Sequence, residues 1–349
     1  MSDEAPSVQP LPIPMFLGFF LLFVTWYVYK NGRKKLVWHQ MKKYKALLQN
    51  RKKKYTVKLI DKKIVTHDTI RFRFSLGNSS MRLGLPVGKC VKVFGPNIAK
   101  KQNAIEWNPR PEMERNGEII PSDPRPHQND DIDKAGEWKE IIERKYTPCT
   151  LDSNLGYFDF TIKIYRSNEN QLFPHGGKMS QYMESLEVGN SVQIQGPFGK
   201  IEYFGRGNWK GMGKKYGKRN QIGLICGGSG VTPMIQLIQA VLQDPNDNTT
   251  ISMLYANKTF DDIIIKEQLD EWSLNSNGQF SIHYTLDSPP ENWNGYEGFV
   301  SDTMISETLP PPSDDTLILM CGPPPMIKFA CLPNLKKLNY DLKNGIGEY

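Results

Sequence analysis

The fold is decided by the stretch Ile222-Gly-Leu-Ile-Cys-Gly-Gly-Ser-Gly-Val-Thr-Pro-Met-Ile-Gln-Leu-Ile238. It begins as an apolar run typical of a buried strand, turns through three glycines and restarts as an apolar helix. Thr232 is placed to cap that helix, and Pro233 to be its first helical residue. Glycines allow close backbone approach and a helix start attracts anions, so the stretch predicts a phosphate cradle, with a dinucleotide as the first ligand to consider. A ligand-free strand–turn–helix connection is the alternative, because the spacing lacks the third glycine of the Rossmann fingerprint.

The rest of the C-terminal region repeats this alternation of strands and helices. Strands are predicted at 222–226, 251–256, 280–286 and 316–320. Helices are predicted near residue 233, near 262–274 and near 302–309. Because alternating elements of this kind favour a parallel sheet, residues 221–349 are predicted to form a doubly wound, Rossmann-like α/β domain.

Residues 55–205 have a different rhythm, with short alternating strands predicted at 55–60, 69–74, 91–94, 158–165 and 191–195. They predict an antiparallel Greek-key β-barrel. Residues 101–143, with five prolines and many charges, are predicted to be an insertion, either a passive surface loop or an element that docks a partner. Residues 206–220, rich in glycine and lysine, are predicted to link the two domains.

The N-terminus carries an uncharged run of 19 residues from Leu11 to Tyr29. As a helix it would span about 28 Å, close to the ~30 Å thickness of a bilayer core. Basic residues follow the run and acidic ones precede it, which predicts a transmembrane helix at 11–29 with residues 1–10 outside and the remainder cytosolic. A cleaved signal peptide, the alternative, places its positive charges before the apolar run.

Charge outside the membrane segment is concentrated in residues 30–54, which hold 11 lysines and arginines and no acid. They are predicted to be a basic juxtamembrane segment, with a helix on anionic lipid over 36–54 or a solvated linker as the two possibilities. The body after residue 54 is close to neutral, which argues against a nucleic-acid-binding protein. The five cysteines show no C-x-x-C spacing and the five histidines are dispersed, so no metal site or disulfide framework is predicted.

Four segments carry the chemistry when they are considered together: Arg144-Lys-Tyr-Thr147 opening a barrel strand, Gly176-Gly-Lys-Met-Ser180 before a helix at 181–186, Gly227-Gly-Ser-Gly-Val-Thr-Pro-Met234, and Cys321-Gly-Pro-Pro-Pro-Met326. Their order and spacing resemble the ferredoxin-reductase superfamily and, within it, the NADH–cytochrome b5 reductases. The likeness extends from about residue 58 to residue 335. It implies an FAD-binding barrel followed by an NADH-binding domain, with the flavin at their junction, and a monomer that reduces cytochrome b5 or a similar haem protein.

The resemblance also implies roles for particular residues. Arg144 would neutralise the FAD pyrophosphate, and Tyr146 and Thr147 would contact the isoalloxazine ring and ribityl chain. Lys163, on one barrel-strand face with Tyr165, would lie near NADH. The residues implied in cofactor binding are Arg144, Tyr146, Thr147, Lys163, Tyr165, Gly177, Lys178, Met179, Ser180, Gly228, Gly230, Thr232, Asp287, Cys321, Gly322, Pro323 and Met326, and those implied in catalysis are Thr147, Thr232 and Cys321.

Asp287 follows the third predicted strand, where an acid can accept from ribose hydroxyls and repel a 2′-phosphate, which favours NADH over NADPH. Two departures from the family pattern are Cys90, where the family commonly has histidine, and the C-terminus, which ends on Tyr349. A same-fold reductase that uses NADPH or another acceptor, and a flavin-free membrane-tethered interaction module, are the alternatives. The anchor would place the enzyme in the endoplasmic reticulum or the outer mitochondrial membrane.

Overall fold

The structure is a computed structural model that describes residues 43–98, 113–115, 118–120, 139–169, 175–211 and 214–349, with only the backbone described for 113–115, 118–120 and 214–216. The chain divides into two units, 1–44 and 45–349, and both predicted domains belong to the second. The predicted membrane helix at 11–29, the segment 1–10 and most of the predicted insertion lie outside the described residues. In the part of the chain that is described, no helix combines the length and apolarity needed to cross a bilayer.

Residues 45–54 pack on the first domain without forming a helix. The backbone N–H groups of Leu47 and Leu48 donate to the carbonyl oxygens of Arg82 and Leu83, and the Leu48 side chain is buried in the core. The predicted helix is therefore wrong for this part of the basic segment, whereas the predicted solvated linker stays a prediction for residues 49–54, which are all exposed. Leu47 and Leu48 hold the start of the segment on the barrel.

The first domain is an antiparallel sheet built as the alternating pattern predicts. Its order is β6-β3-β8-β1-β2-β7. The strands of this part of the chain are β1 (Tyr55–Thr66), β2 (Thr69–Ser75), β3 (Cys90–Pro96), β4 (Met113–Arg115), β5 (Glu118–Ile120), β6 (Ile141–Tyr146), β7 (Tyr157–Lys163) and β8 (Ser191–Phe198). The hairpin β4–β5 lies inside the predicted insertion 101–143, whose last three residues belong to β6.

Aromatic side chains fill the interior of this sheet. Phe74 stacks on Phe158 with ring centroids 5.6 Å apart, and Phe158 meets Phe160 edge to face at 5.1 Å. The sheet curls until its two end strands approach, because Tyr146 at the end of β6 lies 5.7 Å from Phe160 of β7 and the Cys149 N–H donates to the Asp159 carbonyl. This curling places the end of β6 at a fixed position on the barrel.

The predicted linker 206–220 contains two strands. They are β10 (Asn208–Gly211) and β11 (Lys214–Lys218), which form a three-stranded sheet with β9 (Ile201–Tyr203). The buried Trp209 ring lies 4.4 Å from the Tyr203 ring and joins the core of the following domain. Because the segment is rich in lysine and glycine, the sequence did not indicate these two strands, which the buried Trp209 anchors.

The second domain is a six-stranded parallel sheet with the order β15-β14-β13-β12-β16-β17. Its strands are β12 (Gln221–Gly227), β13 (Thr250–Asn257), β14 (Phe280–Leu286), β15 (Tyr296–Glu297), β16 (Thr316–Cys321) and β17 (Ile346–Glu348). The chain adds β13 on one side of β12 and returns to add β16 on the other. Ligands bind at the carboxyl edge of such a sheet, where the order reverses, and here that edge lies at the end of β12.

The helices of the two domains are α1 (Lys178–Glu184), α2 (Val231–Gln243), α3 (Lys266–Asn275), α4 (Asp302–Thr308) and α5 (324–337, with a π-helical turn at Ile327–Cys331). Apolar residues of α2 pack on one face of the parallel sheet, and those of α4 and α5 pack on the other. The predicted α/β architecture is therefore confirmed.

Two helix starts differ from the prediction. The turn Gly228–Gly230 runs directly into α2, so Gly230 is the N-cap residue, and Thr232 is the second helical residue, whose hydroxyl donates to the Ser229 carbonyl. Helix α3 begins at Lys266, four residues later than predicted, because Ile265 has φ 53° and Asp262 closes a separate 3₁₀ turn capped by Thr259. Propensity alone does not reveal either of these local turns.

Candidate active site at the junction of the two domains

The Arg144–Thr147 motif lies at the end of β6, not at the start of a strand as the sequence predicted. Arg144 pairs with Val93 and Tyr146 with Val91 of β3, so both side chains are on one face. The Arg144 guanidinium donates to the Glu143 carbonyl at 2.8 Å. Burial raises the pKa of Tyr146 above its ordinary value, although the nearby Arg144 cation opposes the shift, so this phenol stays neutral.

The Gly176–Ser180 segment turns sharply against the chain after β7. Gly176 has φ +66°, and a Cβ there would lie 2.2 Å from the Tyr165 carbonyl oxygen, so only glycine fits. The buried Ser180 hydroxyl accepts from the Tyr165 N–H at 3.1 Å and donates to the Gly177 carbonyl at 3.0 Å. Ser180 therefore holds the turn itself, and its predicted contact with a phosphate stays a prediction. Helix α1 begins at Lys178, three residues earlier than predicted.

The glycine turn after β12 and the loop after β16 pack against each other. A Cβ on Gly230 would lie 2.1 Å from the Cys321 carbonyl oxygen, so this glycine is needed for contact between the two chain segments. Met326 fills the space beside Gly227 and Gly322, where added Cβ atoms would lie 2.7 Å and 2.6 Å from its side chain. The structure thus brings the predicted residues Gly230, Cys321, Gly322 and Met326 together, and it gives the glycines and Met326 a packing role.

Gly228 differs from its neighbours because the space beside it is open. Its φ is +51°, and an added Cβ would meet no described atom within 4 Å. The Tyr255 hydroxyl, on the neighbouring strand β13, donates to the Gly228 carbonyl at 2.9 Å and fixes the position of the turn. Of the predicted phosphate-cradle glycines, Gly228 has the surroundings that a phosphate requires, namely a fixed backbone with room above it.

Cys321 ends β16 at the carboxyl edge of the sheet. Burial, reinforced by the nearby Glu348 carboxylate, raises the pKa of the Cys321 thiol to about 11. The side chain is therefore a neutral thiol at pH 7, as expected for a residue that is not a nucleophile. Tyr349 lies at the same edge, because its N–H donates to the Met320 carbonyl and its side chain packs on the same core cluster as Cys321.

Lys163 lies between the two domains. Its ammonium group bonds to Asp68 of the β1–β2 turn at 2.6 Å and to Asp262 after β13 at 2.8 Å. Asp68, Asp262 and His67 offer ligand atoms within 4.8 Å of one another, which is the spacing of a metal site, but the lysine cation already lies on both carboxylates. The structure therefore gives Lys163 a role in joining the domains, and its predicted place near NADH stays a prediction. Tyr165, two residues on, is half exposed.

The carboxyl ends of β13 and β14 complete the edge. Asp287 directly follows β14 and is exposed, and its N–H donates to the Asn257 carbonyl at 3.0 Å. Asn257 ends β13 with only 7% of its surface exposed, and its side-chain amide makes no close hydrogen bond among the described residues, since the neighbouring Tyr255 hydroxyl donates to the Gly228 carbonyl instead. Buried amides are normally bonded, so this one fits a ligand that supplies the missing partners. Sequence reasoning missed Asn257, and its only signal was its position at a strand end.

Comparisons with known proteins agree with this geometry. Residues 56–119 and 134–203 match the Oxidoreductase FAD-binding domain family, and residues 224–332 match the Oxidoreductase NAD-binding domain family. The chain is 36% identical over 327 residues to NADH-cytochrome b5 reductase 3 of Rattus norvegicus, covering 92% of this chain and 94% of that protein. It is 41% identical over 296 residues to NADH-cytochrome b5 reductase 1 of Bos taurus, covering 83% and 84%.

The chain belongs to the NADH–cytochrome b5 reductase family. Among solved structures, the cytochrome b5 reductase domain of Ulva prolifera nitrate reductase is similar, with a TM-score of 0.72, 33% identity, and coverage of 87% of this chain and 100% of that one. The protein is an FAD-dependent oxidoreductase whose cofactors are FAD and NADH, as the resemblance implied. The open turn at Gly228 and the unpartnered Asn257 amide are features of this chain that fit a bound dinucleotide.

Proposed function

We propose that this protein carries electrons from NADH to cytochrome b5 or a similar haem protein. The observation that supports this most strongly is the convergence of the Gly228 turn, the Asn257 amide and Cys321 at one sheet edge that packs against the barrel. FAD supplies the chemistry when bound, since it accepts a hydride from NADH and returns electrons singly. The protein's own residues bind, orient and exclude water.

On the barrel side, Arg144 neutralises the FAD pyrophosphate, since a guanidinium is the preferred bidentate partner of phosphate. Tyr146 presents a flat, neutral ring and Thr147 a hydroxyl to the isoalloxazine and ribityl groups. The Gly177–Ser180 turn, held by Ser180, offers the start of α1 to the same pyrophosphate. These roles follow from the family motif, with which the positions of the residues are compatible.

On the side of the parallel sheet, the Gly228 turn receives the NADH phosphates, and Thr232 and Cys321 flank the nicotinamide. The neutral Cys321 thiol suits this place, because a thiolate would attract the positive charge of oxidised nicotinamide and slow its release. Asp287 accepts from the adenosine ribose hydroxyls and disfavours NADPH. A reductase that prefers NADPH or passes electrons to a different acceptor is the second candidate.

The membrane helix predicted at 11–29 would hold the enzyme on the cytosolic face of the endoplasmic reticulum or the outer mitochondrial membrane. Anchoring would keep donor and acceptor in one plane and raise their effective concentration. Fractionation of cells that express the full chain and a chain starting at residue 45 tests this, since only the full chain should remain with membranes after a carbonate wash.

The test of the flavin site compares two neighbouring residues of β6. Arg144→Ala removes the proposed phosphate partner, whereas Lys145→Ala changes an exposed side chain on the opposite strand face. The first variant should be purified largely without FAD and should reduce cytochrome b5 slowly until FAD is added. The second should keep its FAD and its activity. Equal FAD content in the two variants would show that Arg144 does not hold the pyrophosphate.

A further inference from the structure

Helix α2 makes two hydrogen bonds to the barrel domain. The Gly88 N–H donates to the Gln236 side-chain oxygen at 2.7 Å, and the Gln239 side-chain amide donates to the Cys149 carbonyl at 2.8 Å. Gln236 is 1% exposed, so its amide is buried where the helix meets the barrel. A glutamine is an expensive residue to bury where a leucine would fill the space. What the glutamine adds is a directional bond.

The two barrel groups that make these bonds belong to one place in the sheet. Gly88 lies three residues before Val91 of β3, and Cys149 lies three residues after Tyr146 of β6. Val91 and Tyr146 are directly paired across the two antiparallel strands. Both bonds therefore hold the end of the β3–β6 pair that presents Tyr146 and Thr147.

The other ends of the bonds are close to the start of α2. Gln236 follows Thr232 by four residues, which is about 6 Å along the helix axis at ~1.5 Å per residue. Gln236 and Gln239 are three residues apart and so lie on one face of the helix. Two bonds on one face of the helix resist both its sliding along the barrel and its rotation about its own axis.

We propose that Gln236 and Gln239 are positioning residues that set the distance and tilt between the nicotinamide of NADH and the flavin ring. This rests on the proposed function, which places the nicotinamide at the start of α2 and the flavin beside Tyr146. The two glutamines connect the start of α2 to the strand end that carries Tyr146. The connection runs through about one turn of α2 and the paired ends of β3 and β6. Apolar packing of α2 keeps the domains together, whereas the two polar bonds fix the register in which they meet.

The experiment uses the full-length, FAD-loaded enzyme with Gln236→Met, Gln239→Met and the double variant. Methionine keeps the length of the side chain but removes the hydrogen bond. Gln243→Met, at an exposed position on the same helix, is the matched control. The readouts are FAD content, the rate of flavin reduction by NADH in a stopped-flow instrument, and the long-wavelength charge-transfer absorbance of reduced flavin stacked on oxidised nicotinamide.

Each single variant should retain its FAD but be reduced by NADH about tenfold more slowly, with a weaker charge-transfer band, and the double variant should lose up to about 100-fold, because small misplacement of reacting groups is costly. Gln243→Met should match the wild type. Wild-type rates and an unchanged charge-transfer band in the double variant would overturn the proposal, as would a rate loss that only tracks loss of FAD. A wild-type enzyme that NADH does not reduce would instead refute the proposed function.

Discussion

Replacement of Lys163 by methionine would test how the two domains are held together. The ammonium group bonds to Asp68 at 2.6 Å and to Asp262 at 2.8 Å, and the three side chains are 18%, 11% and 10% exposed. Methionine keeps most of the aliphatic chain and removes the cation. The variant would leave two largely buried carboxylates, with oxygens within 4.8 Å of each other, whose remaining basic neighbour among the described residues is the exposed His67 imidazole, 3.5 Å from Asp68 and 3.9 Å from Asp262.

The size of the effect depends on this burial. An exposed ion pair contributes up to about 1 kcal/mol, whereas breaking a buried one costs about 3–5 kcal/mol because a charge is left without a partner. The Lys163 pair lies between these limits, and threonine hydroxyls still bond to both carboxylates. We therefore expect the free energy of unfolding to fall by about 2–4 kcal/mol at pH 7.

The pH dependence has a definite sign. Burial opposes ionisation of both groups, but hydrogen bonds to Lys163 and Thr259 outweigh it and lower the pKa of Asp262 below its ordinary 3.8, while bonds to both carboxylates raise the pKa of Lys163 above 10.5. In the wild type, the Asp262 contribution is present above pH 3.8 and is lost as the pH falls through its folded pKa. The Lys163 contribution is present below pH 10.5 and is lost as the pH rises through its folded pKa. Without the cation, the pKa of Asp262 should rise, so mild acid should relieve the repulsion in the variant.

Urea unfolding of wild type and Lys163→Met at pH 7 and at pH 5 measures this, with Lys210→Met, at an exposed position on β10, as the control. The deficit of the variant should be smaller at pH 5 than at pH 7, and the control should be within about 0.5 kcal/mol of the wild type. A deficit below about 1 kcal/mol at both pH values would refute the reasoning, because it would mean that solvent already screens the network.

Single contacts support three further predictions. Gly230→Ala places a Cβ 2.1 Å from the Cys321 carbonyl oxygen and should lower the melting temperature more than Gly228→Ala, whose Cβ meets no described atom within 4 Å and costs about 1–3 kcal/mol of backbone strain. Asp287→Ser should raise kcat/KM for NADPH relative to NADH at least about tenfold, and an unchanged ratio in a steady-state assay would remove Asp287 from the specificity argument. Tyr203→Phe removes a buried hydroxyl bonded to a carboxylate and a threonine and should lower stability in thermal unfolding by about 1–3 kcal/mol without changing the flavin spectrum.

Most of the second domain could be predicted from the sequence, because each buried parallel strand is a short apolar run bounded by turn residues. Strand β14 begins and ends at the predicted residues 280 and 286. The segment 206–220 could not be predicted in the same way, since its strands are short, rich in lysine and glycine, and anchored by the buried Trp209. Thr232 was misplaced because the glycine turn itself continues into the helix.

The candidate site was predictable where a motif carries it and unpredictable where the fold assembles it. Cys321 and Gly228 stand in recognisable local patterns. By contrast, Asp262 meets Lys163 across 99 residues, and Gln236 meets Gly88 across 148. Such pairs share no local pattern, and only the docking of the two domains brings them together. The same holds for Asn257, whose missing hydrogen-bond partners are a property of its surroundings.

An anaerobic titration of the purified protein with NADH tests the central claim most directly. One equivalent of NADH per bound FAD should bleach the visible absorption of the oxidised flavin, and adding oxidised cytochrome b5 should restore that absorption while the haem becomes reduced. A yellow protein whose absorption NADH leaves unchanged, or a reduced protein that cytochrome b5 cannot reoxidise, would contradict the proposed route of electrons.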